Sequence, residues 1–190
     1  MKLQIAFACF AVFFAQSYAG PFLPQGTDRK EKAAAFSLSD VRYFHRFTQD
    51  DQHEYTPDGQ NDLKAWADMV TINYYRKAKD GEAVAVTASG VLENYKAHKA
   101  SVVKTDSVPR ARDKPAEHLI VVIFARPEFM EAAFARFRMH EGTGTAVIYS
   151  HRVYGKNAGN EMSAWLVRNG PGTEKNLMKW DAMPKLPTPK

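Results

Sequence analysis

The apolar positions change period several times along the chain, and each change marks an element. Residues 41–47 alternate, with Val41, Tyr43, His45 and Phe47 on one side, which predicts a strand. Residues 52–56 predict a second, shorter strand. Pro57-Asp58-Gly59 then supplies turn chemistry, because proline fixes φ and glycine accepts a positive one. Asp62 predicts the cap of a short helical segment with Leu63, Trp66, Ala67 and Val70 on one face. Residues 69–75 are β-branched and aromatic, and predict a strand. From Asp80-Gly81-Glu82 the period becomes helical. Val84, Ala88, Val91, Leu92 and Tyr95 share a face, and Lys96 and Lys99 sit at the negative end of the dipole. Gly90 inside that helix is either a mild defect or a point of close approach.

Residues 101–108 predict an edge strand, and residues 118–125 one that is apolar on both faces and therefore buried. Residues 127–139 fit two readings. Pro127, early Glu128 and Glu131, and late Arg136 and Arg138 suit a helix. Phe129, Glu131, Ala133, Ala135, Phe137 and Met139 alternate as a strand face, and Glu141-Gly142-Thr143-Gly144 reads as a hairpin turn into a strand at 145–154. The strand reading makes residues 118–154 one meander and is the one taken here. Asn160 then predicts a helix cap, with Met162, Trp165 and Leu166 inward and Asn169-Gly170 as the stop. Thr173 predicts the cap of a last short helix carrying Leu177 and Trp180.

Strands, a helix, several strands and a helix make an α+β fold: a mainly antiparallel sheet with helices packed against it. His53-Glu54-Tyr55-Thr56-Pro57, then Trp66, then Met69-Val70-Thr71-Ile72, then the helix near residues 82–98, resemble small exported proteins with a Mog1/PsbP-like αβα sandwich. The resemblance follows element order over most of the domain. It implies a fold and carries no catalytic residues.

The ends of the chain decide the compartment. Lys2, an apolar run from Ile5 to Ala15, and Ser17-Tyr18-Ala19 read as a signal peptide over residues 1–19, cleaved before Gly20. The run is too short to span a bilayer, which takes about 20 residues. No membrane span is expected in the mature chain, and periplasm or medium is the expected location. Residues 20–39, with Pro21, Pro24, Gly26 and a charged run, read as a flexible leader; residues 40–183 as one domain; and residues 184–190, with three prolines, as a flexible tail. The single cysteine, Cys9, lies in the signal, so the mature chain has neither disulfides nor a thiol nucleophile. Its net charge is one less than the +5 of the whole chain, and the basic residues are scattered. Nucleic acid is therefore not an expected partner.

Candidate chemistry is sparse. There is no HExxH spacing, no G-x-S-x-G elbow and no phosphate-binding loop, so no metal or cofactor is expected. His53 and Glu54 with His151 and Arg152 form the one acid–base set suited to hydrolysis, with histidine moving a proton and arginine steadying negative charge. Tyr74 and Tyr75 must face opposite sides of a strand, which leaves one to anchor a partner. Arg110, Arg112 and Lys114 form the densest basic loop, an alternative site for anions. Exported, without cysteine and without a catalytic motif, the chain reads as a binding domain, with an inhibitor or immunity-type protein as one version. Its ligand would be a protein partner or a small apolar molecule, held at a sheet edge or sheet–helix cleft. A small secreted hydrolase is the alternative.

Overall fold

The computed structural model describes residues 34–185. The predicted signal peptide, leader residues 20–33 and tail residues 186–190 lie outside these. Eight strands make one antiparallel sheet: β1 (Phe36–Leu38), β2 (Val41–Gln49), β3 (Gln52–Pro57), β4 (Asp68–Tyr75), β5 (Ser101–Val108), β6 (Glu117–Ala125), β7 (Phe129–His140) and β8 (Thr143–Tyr154). Their order across the sheet is β1-β2-β3-β4-β8-β7-β6-β5. Helix α1 (Gly81–Ala97) packs on one face and α2 (Ala158–Lys179) on the other. The fold is α+β in three layers.

The two-residue period of the strands divides the core. Leu119, Val121, Phe134, Val147 and Ile72 face α2 with Met162 and Leu177. Ile120, Val122, Ala133, Ala135, Phe137 and Ile148 face α1 with Val84, Ala88 and Tyr95. Residues 129–140 form a strand because β6 and β8 flank them on both sides and satisfy their backbone groups. Their local helix signals cannot match two ladders. The β7–β8 hairpin is a two-residue loop, Glu141 (φ 47°) and Gly142 (φ 71°), both left-handed as the strand twist requires. Gly144 is already in β8, where an added Cβ would lie 2.6 Å from the Ala78 Cβ. Asp80 caps α1 by accepting the Ala83 N–H at 2.8 Å. Gly90 faces open space, so no close approach explains it.

Four local expectations are corrected. Residues 62–67 form turns instead of a helix, because the Gln60 side-chain oxygen takes the N–H groups of Ala67 (2.7 Å) and Asp68 (2.9 Å). A bulge between His45 and Phe47 shifts the β2 register, so Phe47 leaves the face of Tyr43 and His45. Residues 36–38, placed in the leader by sequence, form β1 and bury Phe36 and Leu38. Helix α2 begins at Ala158, before Asn160, and runs unbroken through Asn169-Gly170-Pro171-Gly172. A proline inside a helix costs about 3 kcal/mol. Burying Met162 and Leu177 against the sheet returns roughly 1.5–3 kcal/mol each, which is enough to carry the helix past it.

Candidate functional site

The strand period separates the four residues of the predicted acid–base set. His53 and His151 lie on the α2 face, whereas Glu54 and Arg152 lie on the α1 face. Through their partners Ile72 and Asp68 on β4, the two histidines stand four residues apart along the strands and two strands apart across them, about 16 Å. No single water spans that gap. Arg152 is already occupied. Its guanidinium lies between the rings of Trp66 (3.9 Å) and Phe129 (4.1 Å), and its Nε donates to Glu131 at 2.7 Å. Glu54 accepts from Gln52 at 2.7 Å, and burial raises its pKa. His53 and His45 share the Thr48 hydroxyl, at 2.9 and 2.7 Å; burial, then the neighbouring His45, lowers the His53 pKa.

His151 instead belongs to a cluster that sequence reasoning missed. Its Nδ1 donates to Asp68 at 2.9 Å, and the Tyr149 hydroxyl donates to the same carboxyl oxygen at 2.6 Å. The His151 ring stacks on Trp165 of α2, with centroids 4.1 Å apart and planes 8° apart. Burial pushes the Asp68 carboxyl up, but the hydrogen bonds from His151 and Tyr149 outweigh it and hold the pKa below its ordinary value. Burial, then the Asp68 charge, pushes the Tyr149 phenol up. His151 and Trp165 open onto a cleft of about 550 Å³ between β8 and the first turns of α2, walled by Asn157, Asn160, Glu161 and Arg168. One imidazole oriented by a half-buried carboxylate can accept a proton there. Among the described residues no group of three or more His, Cys, Asp or Glu side chains comes together to hold a metal.

The other sequence candidates divide. Tyr74 and Tyr75 do face opposite sides of β4, but neither is exposed: Tyr74 is buried in the α2-side core, and Tyr75 packs against the α1-side core. As a central strand, β4 leaves no open face for an anchor. Arg110, Arg112 and Lys114 are all exposed on the β5–β6 loop, where Ala111 and Lys114 pair their backbones.

The most open feature is β5. It pairs with β6 on one side, and no described strand pairs its other edge. All eight of its residues are exposed, including Val102, Val103 and Val108. Beside it runs a groove of about 430 Å³, with Val121 and Phe134 as floor and Val103, Leu166 and Pro171 as walls. Lys104 crosses it to Glu174 at 2.6 Å.

Arg136 fixes the opposite wall. It is only 2 % exposed on β7, the largest fully buried side chain among the described residues. Its guanidinium pairs with Glu117 at 2.7 Å and donates to the Leu177 and Trp180 carbonyls at 2.9 and 2.6 Å. A cation thus closes the negative end of α2 from inside the protein.

No family model matches the chain, and no curated protein matches it. Among solved structures, the Saccharomyces cerevisiae Ran-binding protein Mog1p is similar in fold, with a TM-score of 0.47 and 10% identity over 72% of this chain and 82% of that one. A Pseudomonas aeruginosa protein of unknown function, PA94, gives a TM-score of 0.44 and 13% identity over 75% of this chain and 99% of that one. The likeness is weak, lies at the level of fold and identifies no specific protein.

Proposed function

We propose that this chain is an exported protein-binding domain that takes an extended segment of its partner onto the free edge of β5. The observation that carries this reading is the edge itself: eight exposed residues whose outer side no described strand pairs, with the Ser107 N–H held by the Asp106 carboxylate, flanked by a groove floored by Val121 and Phe134. Strand addition satisfies those N–H and C=O groups, and the groove receives alternate side chains of the added strand. The residue 1–19 pattern supports export, and amino-terminal sequencing of the secreted product should then begin at Gly20. The His151 cleft suits a small apolar ligand less well, because Glu161 and Arg168 line it.

Peptides selected from a random display library on the purified protein test the reading. Bound peptide should slow deuterium exchange of the β5 amides, and V103D should abolish that protection. Protection confined to another element would overturn it.

Hydrolysis has one specific observation in its favour, the Asp68–His151 pair at the cleft. His151→Ala would then remove all turnover of ester or phosphodiester substrates, whereas unchanged turnover would exclude this residue as the base.

A further inference from the structure

Taking strand addition at β5 as the premise on which this rests, we infer that the partner segment is acidic beside its apolar anchor, with carboxylates that meet Arg110, Arg112 and Lys175. Edge strands are ordinarily protected by shortness, proline, bulges or free lysines. Strand β5 has eight residues and no proline, and its one lysine is committed to Glu174 and Asp106, at 2.6 and 3.3 Å. Its single irregularity, between Val102 and Lys104, leaves Val103 unpaired and on the groove wall. That bulge and the Asp106 carboxylate on the Ser107 N–H are the only such protection on β5 among the described residues, and the bulge itself sets Val103 where an anchor would sit.

The charges around it are unequal. Most carboxylates on the groove side are matched within the protein: Glu117 by Arg136, Glu174 and Asp106 by Lys104, and Asp181 by Arg138 and Arg136; Asp113, on the loop itself, offsets one of its three cations. Arg110, Arg112 and Lys175 form no ion pair or hydrogen bond among the described residues. Arg110 and Arg112 follow directly from the end of β5. The loop runs from Val108 to Glu117, whose carboxylate meets Arg136 on the groove side of the sheet. Lys175 stands on the groove rim. A strand lying along β5 would place one side chain in the groove and its end among these cations.

Charge also argues against a second copy as the occupant. Antiparallel pairing of two β5 strands would set Arg110 and Arg112 of one copy against the Ser101 end of the other, which Lys99 precedes. Basic would meet basic.

Random 12-residue peptides, displayed and selected on residues 20–190 at low salt, provide the test. Enriched sequences should alternate apolar and polar positions and carry two or more Asp or Glu at one end. R110E/R112E should weaken the best peptide about tenfold, and 0.5 M NaCl should weaken it to a similar extent, because exposed charge pairs are individually weak and are screened by salt. Peptides that protect β5 yet lack acidic residues, or that bind R110E/R112E equally well, would overturn the acidic partner and leave strand addition standing. No peptide protecting β5 would overturn both. Concentration-dependent dimerisation abolished by V103D would assign the edge to a second copy, and RNA or anionic vesicles displacing the peptide through Arg110 and Arg112 without β5 protection would assign the cations to a different class of ligand.

Discussion

The two edges of the sheet are built in opposite ways. Strand β1 is three residues long and closed. Phe36 and Leu38 point into the core, the Trp180 indole N–H donates to the Ser37 carbonyl at 2.8 Å, and Asn176 donates to the Ser39 hydroxyl at 2.9 Å. Strand β5 is eight residues long and bare on its outer side among the described residues. Helix α2 accounts for the difference. Arg136 pulls its C-terminal end down onto β7, from where Trp180 reaches β1, while its middle only borders β5 across a groove. An unpaired edge is an aggregation hazard.

The largest break in this comparison is Arg136→Ala. It strands the Glu117 carboxylate in a buried site and uncaps α2, so urea unfolding should show a loss of about 3–5 kcal/mol. A loss under 1 kcal/mol would mean that the C-terminal end of α2 is held by packing alone. Next is Trp180→Ala, expected to cost about 3 kcal/mol. Deuterium exchange should speed up in β1 and stay unchanged in β5, and equal acceleration at both edges would show that they are not independent.

A change between the edges supplies the control. Asp68→Asn should cost about 2 kcal/mol at pH 6, the value of hydrogen bonds to a charged group. The folded Asp68 pKa lies below the unfolded value of about 3.9. Its contribution is therefore complete above the unfolded pKa and is lost as pH falls through the folded one. The gap between wild type and Asp68→Asn should close in acid, and a gap that is constant down to pH 2 would count against a charged Asp68. The smallest effect sharpens the contrast: Val103→Asp on the bare edge should shift stability by less than about 0.5 kcal/mol while removing partner binding.

Much of the fold was legible because it is written locally. Asp80 caps α1 and Glu141-Gly142 turns the hairpin, whereas Phe129 to Met139 carried both a strand alternation and helix signals, and pairing with β6 and β8 decided between them. The edge position of residues 101–108 was legible too, from their mixed and polar character. The His151 cluster was not. Asp68 and His151 lie 83 positions apart and meet only because β4 pairs with β8 in one register. His53 and Glu54 stand back to back for a local reason, since neighbours on a strand face opposite sides. No signal near Arg136 announced that a strand arginine would take the carbonyls of Leu177 and Trp180, and none near Pro171 that a helix would continue through it.

By itself, then, the sequence determined the α+β class, most of the strands, α1 and the β7–β8 turn, because φ/ψ preferences and apolar spacing act over a few residues. Tertiary structure alone decided which strand became the closed edge and which the open one, where each charge found its partner, and which histidine met a carboxylate. Those outcomes depend on register and on burial against distant segments, where a single bulge or a single helix anchor outweighs local propensity.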